Sequence, residues 1–130
     1  MAERPAASPA DVVRRLIAAL NARNLDAAHA LLAHDSVNHV ALPGTDPGKD
    51  GWREIWTLLF DAFPDFSTTI EQTVEQGDTV ATRYTHRGTQ AKEFLGQPPS
   101  GSSFVALGLD MIKVRDGAIV EHWGLSQPWA

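Results

Sequence analysis

Phe63-Pro64-Asp65-Phe66, Gly77-Asp78, Gly88-Thr89, Gly96-Gln97-Pro98-Pro99-Ser100-Gly101 and Asp116-Gly117-Ala118-Ile119-Val120-Glu121-His122-Trp123 punctuate the second half of the chain. Glycine, proline and aspartate mark turns, and the segments between them alternate in polarity as strands do. The spacing therefore predicts four antiparallel strands over about 67–75, 79–89, 103–115 and 118–126, with Gly77-Asp78 and Asp116-Gly117 as hairpin turns. Upstream of Pro64, Trp52, Ile55, Trp56, Leu59, Phe60 and Phe63 recur at i, i+3, i+4, i+7, i+8 and i+11, the stripe of an amphipathic helix that Asp50 would cap and Pro64 would end.

Ser8-Pro9-Ala10-Asp11 has the form of a capping box with proline at the first helical position. A helix over about 9–22 is predicted from the stripe Val12, Val13, Leu16, Ile17 and Leu20, and Asn24 is placed to cap a shorter one ending near Ala33-His34. Ser36 to Leu42 reads as one short strand and Pro43 to Gly48 as a loop. The fold class is α+β: three N-terminal helices packed on a strongly curved, mostly antiparallel sheet. Such a cone encloses a cavity between helices and sheet, the natural place for a ligand.

A length of 130 residues accommodates one domain, expected over 8–130 behind a flexible tail at 1–7. There is no cysteine, so disulfides, thiolate nucleophiles and cysteine metal sites are excluded, and the composition fits a cytoplasmic protein. No apolar run suits a signal peptide or a membrane span. A net charge of -5 without a Lys/Arg cluster argues against nucleic-acid partners. No phosphate loop, dinucleotide fingerprint, zinc-protease helix or nucleophile elbow occurs, so neither a metal nor an organic cofactor is expected.

The strand over 103–115 is apolar on both faces, with Val105, Leu107, Leu109 and Met111 on one and Phe104, Ala106, Gly108, Ile112 and Val114 on the other. A strand facing water on one side should alternate. The simplest cover for the second face is another copy of the chain, giving a homodimer packed sheet to sheet. Asp110 interrupts the second of these faces. A carboxylate buried there must be paired or shifted toward proton transfer, so it is the leading catalytic candidate; the alternatives are a place on the dimer face or a pairing with Arg83.

In order and spacing, the blocks from about Asp35 to Gln127 resemble the SnoaL-like polyketide cyclases and the related ester cyclases of the nuclear-transport-factor-2-like superfamily. The resemblance implies the cone fold, sheet-to-sheet dimers and a small hydrophobic substrate in the cavity. Asn38-His39 matches the family's Asn-His element at the cavity mouth. Neighbours on a strand face opposite ways, so one of the two points in; His39 is expected inside as a second catalytic group, with Asn38 orienting a substrate carbonyl.

Two departures accompany these matches. Gln127 stands four residues after Trp123, where the family carries the aspartate that serves as general acid/base, and Gln90 stands where many ester cyclases have histidine. Glutamine exchanges no proton at neutral pH. Gln90, Gln127 and the flat Trp123 wall are accordingly expected to bind substrate. The function implied is cofactor-independent cyclisation or isomerisation of a small, carbonyl-bearing hydrophobic metabolite. The alternatives are opening of a strained ring such as an epoxide, or a non-catalytic small-molecule-binding module.

Overall fold

The structure, a computed structural model, describes residues 8–128. The tail expected at 1–7 lies outside the described residues. Helix α1 spans Pro9–Asn21, its start fixed by Ser8, whose Oγ accepts the Asp11 amide at 3.2 Å, with Pro9 in the first turn. Arg23, just beyond it, sits in the left-handed region at φ 61° and ties the helix end to the sheet: its guanidinium donates to the carbonyls of Leu20, Pro64 and Phe66 and lies 4.0 Å over the Phe60 ring. Asn24 caps α2, Leu25–Ala30, by accepting the Ala27 amide at 3.1 Å.

Strand β1 runs over Leu32–Asn38, four residues earlier than the polarity pattern places it, and α2 is correspondingly shorter. The cause is non-local. β1 pairs in parallel with the last strand, Leu32 opposite Ile119 and Asn38 opposite His122, and the Ile119 amide donates to the Leu31 carbonyl. Helix α3, Lys49–Ala62, begins at Gly48 without a side-chain cap, and Asp50 lies in its first turn instead of capping it. Gly51 is required here, because a Cβ would fall 1.7 Å from the Asp46 carbonyl oxygen of the incoming loop.

The remaining strands are β2, Ser67–Gln76; β3, Thr79–Thr89; β4, Ser103–Arg115; and β5, Ala118–Ser126. They form one five-stranded sheet in the order β1-β5-β4-β3-β2, antiparallel except at β1. Asp116 and Gly117 both take positive φ, 53° and 77°, as a two-residue hairpin with the native strand twist demands. The three helices cover the concave face, where Val12, Val13, Leu16 and Trp56 pack on Val80, Ile112, Val114 and Ile119. Each such side chain, fully buried, contributes about 1.5–3 kcal/mol. A second cluster of Leu59, Ala62, Phe63 and Phe66, joined by Phe94 and Phe104, closes the far end. No helix among the described residues is long and apolar enough to cross a membrane.

Candidate active site

Between the helices and the concave sheet lies a cavity of about 360 Å³. Its walls are apolar: Leu16, Ile17 and Leu20 from α1, and Trp52, Ile55, Trp56 and Phe60 from α3. Its floor is polar and comes from neighbouring positions of β3, β4 and β5. Asp110 of β4 is the centre of that floor, with a side chain only 13% exposed. The Tyr84 hydroxyl, reaching over from β3, donates to both carboxylate oxygens at 3.1 and 3.0 Å. From β5, His122 Nε2 approaches Asp110 Oδ2 to 3.4 Å, while His122 Nδ1 lies 2.8 Å from Asn38 Oδ1 of β1. The edge of Trp52 packs on the imidazole with centroids 4.7 Å apart.

Burial, and then the Asp110 carboxylate, push the Tyr84 phenol well above its ordinary value of 10.0, so it stays protonated and acts as a donor. Beside it, His86 stacks against both Tyr84 and Phe66 at 5.6 Å and shares a 2.8 Å hydrogen bond between its Nδ1 and Thr68 Oγ1. Burial holds its imidazole below the ordinary 6.5, opposed by the attraction of Asp110. Two glycines make room for this floor. A Cβ on Gly108 would stand 2.4 Å from His86 Nε2, and one on Gly124 would stand 3.0 Å from His122 Nε2 and 3.1 Å from Asp110 Cβ. The result is a carboxylate held by a phenol, with an imidazole nitrogen 3.4 Å away, beneath an apolar chamber. Such a set can take a proton from a bound molecule and return it elsewhere. Among the described residues, no group of three or more His, Asp or Glu side chains is arranged to hold a metal ion.

The family model for SnoaL-like polyketide cyclases matches residues 10–129. The chain belongs to the SnoaL-like polyketide cyclase family. Among solved structures it is similar to wild-type IdmH, a candidate polyketide cyclase from Streptomyces antibioticus, with 40% identity over 93% of each chain and a TM-score of 0.82. It is also similar to TsrD from Streptomyces laurentii, at 26% identity over 96% of this chain and 92% of that one, with a TM-score of 0.84. AclR, a candidate hydroxylase from Streptomyces galilaeus, shares the fold at 23% identity, 92% and 88% coverage and a TM-score of 0.79. Comparison with curated protein sequences gave no match.

In this SnoaL-like cavity, Asp110 and Asn38 lie among the lining residues, and His122 links them. The pair Asn38-His39 is oriented opposite to expectation. His39 turns away from the cavity, stacks flat on Trp123 at 4.6 Å and lies 3.1 Å from Glu121 Oε1. Trp123 is likewise on the outer face and 39% exposed, where it borders a groove with Leu109 and Met111. Gln127 lies past the end of β5, exposed, with its Oε1 accepting the Leu107 amide at 2.8 Å. Gln90 is buried but serves its own loop: Nε2 donates to the carbonyls of Lys92 and Gln97, and Oε1 accepts from Ser100.

One bulge accounts for the inversion on β5. Val114 pairs with Ile119, but Lys113 pairs with Glu121, so Val120 is an extra residue. Since side chains alternate with period 2, every residue beyond Val120 changes face. His122 therefore joins Ile112 inside, and Trp123 joins Met111 outside. Tyr84 and His86 were open to sequence reasoning, because they share strand parity with Val80 and Thr82 on the inner face of β3; no motif singles them out.

Proposed function

We propose that this SnoaL-like protein is a cofactor-independent cyclase or isomerase acting on a small, hydrophobic, carbonyl-bearing metabolite of polyketide type. The observation that carries the proposal is Asp110, held 3.4 Å from His122 Nε2 and bonded by Tyr84 at the floor of an apolar cavity. Every group the reading uses is a side chain of this chain. The Asp110–His122 pair takes the acidic proton from carbon next to a substrate carbonyl, and the electrons of the broken C–H bond move onto the carbonyl oxygen as an enolate. The enolate carbon then bonds a second carbonyl carbon, and the proton held by the pair passes to the oxygen that becomes a hydroxyl. A positioned acid/base of this kind contributes about 10²–10⁴-fold. The one hydrogen of the Tyr84 phenol goes to Asp110 and fixes the carboxylate beneath the substrate. The aromatic walls, Trp52, Trp56 and Phe60, favour a flat or conjugated substrate body.

Turnover of a panel of polyketide-like dicarbonyl compounds by wild type and Asp110→Asn tests this. The variant should lose about 10²-fold or more in kcat while still binding ligand. Undiminished turnover by the variant would remove Asp110 as the base, and binding without turnover by the wild type would leave a binding module.

We also propose a homodimer through the convex sheet face. There Val105 is 67%, Leu109 52%, Met111 49% and Leu125 83% exposed on one surface, an apolar row that water alone would cover in the monomer.

A further inference from the structure

We propose that Asn38 is a positioning residue that locks the His122 imidazole in its Nδ1–H tautomer, leaving Nε2 as the bare nitrogen that faces Asp110 and the cavity. One donor in the chain of contacts has a fixed identity. The Val40 amide N–H has only a hydrogen to offer, and it meets Asn38 Oδ1 at 3.2 Å in a local side-chain turn. That atom must therefore be the amide oxygen. The same oxygen lies 2.8 Å from His122 Nδ1, and two acceptors do not meet at that distance, so Nδ1 carries the proton. In the neutral ring Nε2 is then unprotonated, and it is this nitrogen that stands 3.4 Å from Asp110 Oδ2.

The ring is packed in place. A Cβ on Gly124 would come 3.0 Å from its Nε2, and the rings of Trp52 and His122 meet in a T-shaped contact with centroids 4.7 Å apart. The backbone at His122 is pinned as well, its carbonyl accepting the His39 amide at 2.9 Å. The groups that face His122 are few. β4 supplies Asp110, β3 supplies Tyr84 through its bond to Asp110, β1 supplies Asn38, and α3 supplies only the uncharged Trp52. Asp46 lines the same cavity, but its Oδ1 accepts the Gly48 amide, and Glu121 and Lys113 belong to the opposite sheet face. A proton taken up by Nε2 would consequently sit on the side of the ring that faces Asp110 Oδ2. The tautomer rests on geometry alone; its use, as the store for the proton removed from substrate, rests on the function proposed above.

The test reads the ring without any substrate. Long-range proton–nitrogen NMR of ¹⁵N-labelled protein, with His122 assigned by comparison with His122→Gln, reports which nitrogen bears the proton once the ring is neutral. Wild type should show Nδ1–H, and a wild-type Nε2–H signal overturns the proposal. Asn38→Asp keeps an acceptor at the same place, so Nδ1–H should persist. Asn38→Ala removes the acceptor and should move the population several-fold toward Nε2–H; an unchanged tautomer overturns the lock. If Asn38→Ala does not fold, wild type and Asn38→Asp still decide. The catalytic reading fails separately, through intact turnover by Asp110→Asn, and that result leaves the tautomer measurement standing.

Discussion

A single methyl group at Gly108 should disturb the floor of the cavity more than most truncations in the core. The new Cβ would stand 2.4 Å from His86 Nε2 and 2.9 Å from its Cδ2, well inside contact distance. A flexible side chain would swing aside. His86 is not one, because Phe66 and Tyr84 sandwich its ring and Thr68 Oγ1 holds its Nδ1 at 2.8 Å. Relief requires the ring to tilt off that hydrogen bond or the β3–β4 ladder to shift. Overpacking of this kind costs about 1–3 kcal/mol, and loosening the bond to Thr68 adds roughly 1 kcal/mol. Replacing a strand glycine by alanine returns about 0.5–1 kcal/mol of chain entropy. The net is a loss of about 2 kcal/mol, which for a chain of this size lowers Tm by roughly 8 °C. Thermal unfolding of Gly108→Ala followed by circular dichroism measures it directly. The decisive control is His86→Ala, which opens the space the methyl needs. In that background Gly108→Ala should cost nothing or stabilise slightly, giving a coupling of about 2 kcal/mol between the two positions. An unchanged Tm for Gly108→Ala, or the same loss with and without His86, would refute the clash.

Three further outcomes are expected. Arg23→Ala removes three hydrogen bonds to the carbonyls of Leu20, Pro64 and Phe66 and the contact with Phe60, so chemical denaturation should show a loss of about 2–3 kcal/mol; Arg23→Lys should recover little of it. Burial depresses the folded-state titration of His86 below 6.5, so as pH falls through that value the unfolded chain takes up a proton that the native ring refuses, and stability drops with it. Melting curves at pH 7.5 and 5.5 should therefore show a larger loss for wild type than for His86→Gln, and equal losses would exclude His86 as a source. Wild type should scatter light as a dimer at micromolar concentration, whereas Leu109→Glu, which brings like charges together on the convex face, should be monomeric; a monomeric wild type would end the dimer proposal.

The four-stranded half of the fold was legible because its turns are chemical. Asp116-Gly117 needs residues that tolerate positive φ, and Pro64 cannot continue α3, so strand limits are set by local sequence. β1 was misplaced for the opposite reason. Its limits come from parallel pairing with β5, about 85 residues away, which no local pattern encodes. Asp110 was legible as a cavity residue since β4 alternates regularly from Ala106 through Ile112 to Val114. His122 was not, because a bulge leaves no mark in the alternation of Ile119, Val120 and Glu121 and still reverses the facing of every later residue on the strand. Trp123 and Gln127 were expected in the cavity from the family resemblance, and the extra residue leaves Trp123 on the outer face.

The bulge at Val120 gives register, as distinct from side-chain identity, control over the chemistry. Substitutions along β5 alter one wall position at a time. Loss of the single codon for Val120 would leave Glu121 directly after Ile119 and opposite Lys113 as before, so the bulge would vanish while His122 stayed inside opposite Ile112 and Trp123 outside opposite Met111. A slip that instead paired Val120 with Lys113 would set His122 opposite Met111 and Trp123 opposite Asp110, replacing a proton carrier with a flat apolar panel in one step.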